Sequence, residues 1–71
     1  MPMYSIATDS KLMDDFEAEN IAAALARFGA PPHVNEAIAF ELWLTEVGGY
    51  GWIEEDDIVV ARVAANGDTE D

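Results

Sequence analysis

Cysteine is missing from this chain, and that absence alone removes disulfide frameworks, thiolate zinc sites and cysteine nucleophiles. Basic residues are nearly missing. Lys11, Arg27 and Arg62 face fifteen acidic residues, for a net charge of −12. Such a surface repels DNA, RNA and anionic lipid, and attracts cations and basic protein surfaces. The charge therefore argues against direct binding of nucleic acid. Histidine occurs once, at His33 beside Pro31-Pro32, with no serine or cysteine spaced to complete a nucleophilic triad, and reads as a surface loop residue. Gly48-Gly49-Tyr50-Gly51 lacks the lysine and the following helix of a phosphate-binding loop. No apolar run approaches the roughly 18 residues of a membrane span. The first residues show no basic region followed by an apolar core. The expectation is a cytoplasmic protein with no cofactor and no metal.

What is present is a small core-forming chain. Seventy-one residues, 51% of them hydrophobic, predict a single compact domain over 1–65 and a polar, acidic tail over 66–71. A domain of this size buries only about 60% of the surface its unfolded chain exposes, so its core is about one helix thick against one sheet. Paired carboxylates do acid–base work only where a pocket raises one pKa, and a chain this slight has little room to build one. A non-catalytic protein is expected.

Residues 3–8 alternate enough to predict a strand, placed at a sheet edge. Residues 12–28 predict a helix. Asp9 or Ser10 offers an N-cap, Asp14, Asp15, Glu17 and Glu19 suit the positive end of the dipole, and Ala18, Ile21, Leu25 and Phe28 form an apolar stripe. Gly29 and Pro31-Pro32 then end it. After a connector over 30–36, residues 37–47 carry conflicting signals. Their propensities favour a helix, but Ile38, Phe40, Leu42 and Leu44 alternate as in a half-buried strand. A helix apolar all round needs cover all round, so the alternation is preferred. Gly48-Gly49 then predicts a hairpin turn setting Val47 opposite Tyr50, Thr45 opposite Trp52 and Leu44 opposite Ile53, with Trp43 and Trp52 together on the outer face. A turn over 54–57 leads to a last, β-branched strand over 58–63. The expected fold is α+β, one helix packed on a small antiparallel meander; the alternative is β-α-α-β, with 35–47 as a second helix.

The candidate partner-binding residues fall into three groups. Glu54-Glu55-Asp56-Asp57 lacks the alternate oxygen ligands, central glycine and terminal glutamate of a calcium loop, which leaves a solvated turn or a partner-binding patch. Asp14, Asp15, Glu17 and Glu19 are either helix-dipole chemistry or a second negative stripe on the same face. Trp43, Tyr50 and Trp52 fill the core, or form an exposed aromatic patch rimmed by Glu41, Glu46, Glu54 and Glu55 that suits an apolar spot ringed by Lys and Arg. That second use also admits a small assembly protein that dimerises or docks through its aromatic sheet face.

Duplex DNA carries about one charge per 1.7 Å of axis, so twelve net charges match about 20 Å of duplex. A compact chain of this length has a radius of gyration near ~11 Å, a body of comparable span. A small, cysteine-free, strongly acidic domain with carboxylates at 14, 15, 17, 19, 41, 46 and 54–57 resembles the DNA-mimic inhibitors of the anti-CRISPR and anti-restriction type. The resemblance lies in composition. It implies a protein that blocks the basic, nucleic-acid-binding surface of a partner without catalysis.

Overall fold

A computed structural model describes residues 1–65; the tail expected over 66–71 lies outside the described residues. The fold is α+β. In chain order it runs β1 (Met3–Thr8), β2 (Lys11–Glu17), α1 (Ile21–Phe28), α2 (Ala37–Val47), β3 (Gly51–Glu55) and β4 (Ile58–Val63). The strands form one antiparallel sheet in the order β2-β1-β3-β4. The radius of gyration is 11.1 Å and the extents are 32 × 25 × 19 Å.

Four expectations are corrected. First, β1 is a central strand rather than an edge, paired with β2 on one side and β3 on the other. Second, the helix predicted over 12–28 is two elements. Residues Lys11–Glu17 form an edge strand, and the helix starts at Ile21 behind an Asn20 N-cap whose Oδ1 accepts from Ala23 N–H at 2.8 Å. Within β2, Met13 faces the helices, a bulge follows at Asp14–Asp15, and Phe16 faces the helices again. A bulge inserts one residue, so two inward side chains of the strand end up three apart, which is also a helical spacing.

Third, residues 37–47 are a helix, as in the β-α-α-β alternative. The alternation of Ile38, Phe40, Leu42 and Leu44 is two interleaved four-residue steps. Phe40 and Leu44 are buried, whereas Ile38 and Leu42 face out at 63% and 65% exposure. The helix thus leaves its second apolar stripe uncovered. Fourth, Gly48-Gly49 is no hairpin turn. Gly48 is the C-cap of α2 at φ 75°, a backbone angle that suits glycine, and its N–H donates to Thr45 O. The predicted pairing of 44–47 with 50–53 therefore does not form, and β3 pairs with β1 instead. Gly51 sits so close to β1 that a Cβ there would stand 2.1 Å from Ala7 O, so only glycine lets β3 begin at this point.

The core lies between one sheet face and both helices. Tyr4, Ile6, Ile53 and Ala61 meet Leu25 and Phe28 of α1 and Phe40 and Leu44 of α2. The alternate residues Ser5, Ala7, Trp52 and Glu54 point to the other face, which no described element covers.

Candidate functional site

Antiparallel pairing gathers carboxylates that are far apart in sequence. The start of β1, the end of β2, the end of β3 and the start of β4 share one end of the sheet. Register fixes this: Met3 pairs with Glu17, Tyr4 with both Phe16 and Glu55, and Glu55 with Ile58. The Ala18 N–H donates to Pro2 O, which holds the chain after β2 at the same end. The result is one acidic end built from Asp14, Asp15, Glu17, Glu19, Glu54, Glu55, Asp56 and Asp57. Glu54 and Glu55 are half-buried and the other six are exposed. The two acidic groups singled out in the sequence are therefore one group in space, although one was expected on a helix.

The backbone there is specialised. Asp56 and Asp57 form the two-residue loop of the β3–β4 hairpin with φ of 51° and 69°, and Asp15 takes φ 50° in the β2 bulge. Positive φ at both central positions is the signature of the hairpin turn whose twist matches the flanking strands. Asp56 also ties the turn to β1: its N–H donates to Met3 O at 2.8 Å, and its Oδ1 accepts from Met3 N–H at 2.9 Å. Ser5 holds the bulge. Its hydroxyl donates to Asp14 Oδ1 at 2.8 Å and accepts from Asp15 N–H at 3.0 Å.

Lys11 and Arg27 spend their charges on partners other than these carboxylates. Lys11 Nζ donates to Phe28 O at the far end and lies 5.0 Å from the Phe28 ring centre. Arg27 reaches the acidic end, but its Nη1 donates to the backbone carbonyl of Glu17 at 2.8 Å while its guanidinium lies over Phe16 at 5.2 Å. The buried Tyr4 phenol registers the surroundings. Its pKa is raised, first by burial and then by the negative charges of Glu55 and Asp56. Among the described residues, no group of three or more His, Cys, Asp or Glu is arranged to hold a metal ion.

The other candidate residues go elsewhere. Trp43 lies on α2, half-buried against the core and 6.0 Å from the Phe40 ring centre, so it does not share a face with Trp52. Tyr50 precedes β3 at the opposite end of the sheet, 45% exposed. Glu41 Oε2 accepts from Arg62 N–H at 2.9 Å, capping part of the free edge of β4, and Glu46 is exposed near the end of α2. The aromatic patch with its glutamate rim is thus dispersed. Trp52 alone among these aromatics stands on the uncovered sheet face, where Ser5, Ala7 and Leu12 join it. The sequence signal for Ser5 and Ala7 was the large–small alternation Tyr4-Ser5-Ile6-Ala7, which marks an outward row once β1 is known to be central.

Among the described residues, no helix is long and apolar enough to cross a membrane. No protein-family model matches the chain, and neither the curated proteins nor the solved structures contain a match.

Proposed function

We propose that this protein is a non-catalytic acidic interaction protein whose carboxylate end occupies a basic, nucleic-acid-binding surface of a partner, in the manner of DNA-mimic anti-CRISPR and anti-restriction inhibitors. The observation that carries the reading is the convergence of eight carboxylates on one end of the sheet, with the side chains of Lys11 and Arg27 committed to backbone carbonyls and rings. The body spans 32 × 25 × 19 Å, and about 20 Å of duplex carries the same number of charges as this chain's net. A groove shaped for duplex can therefore take it by charge and by size. Electrostatic capture of this kind is fast and sensitive to salt.

The test is competition. A labelled duplex is bound to a basic nucleic-acid-binding protein, and this protein is titrated in. Displacement that disappears when Glu54, Glu55, Asp56 and Asp57 are changed to Lys supports the reading. Undiminished displacement by the reversed variant contradicts it.

A second reading, as a small assembly protein, is favoured by aliphatic exposure. Ile38 and Leu42 on α2, and Ile58, Val59 and Val60 on β4 at 66%, 53% and 38%, present apolar surface. Light scattering separates the two: a dimer that resists salt and dissociates on Leu42→Glu favours assembly, and a monomer favours the inhibitor.

A further inference from the structure

The two edges of the sheet are guarded unequally. A free edge strand presents unpaired N–H and C=O groups to any passing strand, and proteins blunt such edges with charge, proline or a bulge. The β2 edge is blunted: four of its seven residues, Lys11, Asp14, Asp15 and Glu17, are charged, and it bulges at Asp14–Asp15. The β4 edge carries one charged residue in six, Arg62, and no proline. Its one bulge is at Val60, which has no partner on β3 between those of Val59 and Ala61. Ile58, Val59 and Val60 stand exposed along it. The Arg62 N–H faces away from β3, since it donates to Glu41 Oε2 at 2.9 Å rather than across the ladder. A carboxylate oxygen from α2 thus stands where the carbonyl of a further strand would stand. The helix α2 packs against β4, and Ile38 and Thr45, three before and four after Glu41, share its stripe. The free edge therefore runs beside a helix flank on which Ile38 is exposed.

We propose that the β4 edge takes up an extended, basic segment of the protein partner as a fifth strand, lying beside α2. The proposal rests on the functional reading above and names the form in which the partner is held. In this mode of recognition, backbone hydrogen bonds to the edge supply affinity and alternate side chains supply selectivity. A carbonyl of the incoming strand replaces Glu41 at the Arg62 N–H. The freed Glu41 carboxylate then pairs with a lysine or arginine of the same segment. Aliphatic side chains of the segment lie along Ile38, and Asp56 and Asp57 at the head of β4 attract its other cations. Charge complementarity selects this occupant over a second copy of the chain. The helix α2 and its N-cap carry Glu36, Glu41 and Glu46 and no basic residue, and β4 opens from Asp56-Asp57. A second β4 with its own helix would bring the same negative charges to the edge, on bodies of net charge −12.

The experiment titrates the full chain, at low salt, with a capped peptide alternating arginine and valine, read by amide chemical shifts and hydrogen exchange. Two further peptides are the same sequence N-methylated at every residue, which keeps the charges and removes every backbone donor, and its glutamate–valine counterpart. The proposal expects the largest shifts at residues 58–63 and Glu41, and slower exchange along β4. It expects N-methylation to weaken binding about tenfold, the glutamate peptide not to bind, and Ile38→Ser to weaken the arginine peptide about fivefold. The N-methylated peptide keeps the test decisive should Ile38→Ser lose the native spectrum. Shifts confined to residues 14–17 and 54–57, with equal affinity for the N-methylated peptide, overturn the fifth strand and leave the acidic-end reading standing. No binding of any peptide by a chain that still displaces duplex from a basic protein does the same; no binding and no displacement overturn both. A dimer of the free chain in which the amides of 58–63 are already protected also overturns the proposal, since the edge then belongs to a second copy.

Discussion

The two ends of the sheet meet the same backbone demand with different residues. On the side of the β1–β2 turn, where the chain leaves each helix, positive φ falls on glycine: Gly29 at 101° and Gly48 at 75°. At the other end it falls on aspartate, at Asp15, Asp56 and Asp57. Glycine takes this conformation without steric cost, whereas any residue with a Cβ is disfavoured there by up to roughly 1–2 kcal/mol, aspartate less than most. Three aspartates held at positive φ, within a cluster of like charge, are what a chain selected for stability alone would avoid. The difference teaches that the acidic end retains charge at some expense in stability, as expected of a surface that works by its charge.

The comparison can be dissolved, shifted or refined by substitution. Phe40→Ala removes a fully buried ring that both helix and sheet depend on. A loss of about 3–5 kcal/mol in urea denaturation is expected, enough to unfold both ends together. Gly51→Ala acts at the far end alone, driving a Cβ into Ala7 O. About 1–3 kcal/mol of destabilisation is expected, with faster hydrogen exchange at the β1–β3 pairs nearest Thr8. Ser5→Ala acts at the acidic end, where it strips the Asp15 N–H of its acceptor. A cost of about 1–3 kcal/mol and selective loss of protection at the Asp15 amide are expected. Asp57→Gly relaxes the turn, and thermal denaturation should show a gain of about 0.5–1 kcal/mol together with weaker binding to a basic partner. An unchanged or lower stability would mean that the turn bears no strain.

The smallest effect concerns pH. Because the folded-state pKa of Tyr4 is raised above its usual value of 10.0, the stability it contributes is complete below about pH 10 and is lost as pH rises through the folded value. Ultraviolet titration of a Tyr50→Phe variant isolates Tyr4. Its midpoint should lie above 10.0 and move down when Glu55→Gln and Asp56→Asn are added. Part of the elevation should persist, since burial is the larger cause.

The sequence was most readable where local chemistry and tertiary role agree. The strands at 3–8 and 58–63, the turn within 54–57 and the end of α1 at Gly29 all follow from alternation, β-branching and punctuation. It misled where one pattern has two physical sources. The carboxylates at 14, 15 and 17 suit the positive end of a helix, but they lie on β2, and the helix starts behind Asn20. Ile38, Phe40, Leu42 and Leu44 alternate because α2 carries two apolar stripes, and the premise that both must be covered does not hold at 63% and 65% exposure. The acidic residues were visible as two runs, and a shared face was one of two readings of them; the sequence could not choose, since the choice depends on β1 lying between β2 and β3. No local signal carries that adjacency.

The central claim is that carboxylates gathered at one end of the sheet drive capture of a basic surface. It is tested most directly by the slope of log affinity against log salt for a basic nucleic-acid-binding protein, measured for the native chain and for one with Glu54, Glu55, Asp56 and Asp57 changed to Gln and Asn. The account predicts a steep fall for the native chain and a distinctly shallower one for the neutralised chain. Equal slopes for the two, or an affinity that ignores salt, would contradict it.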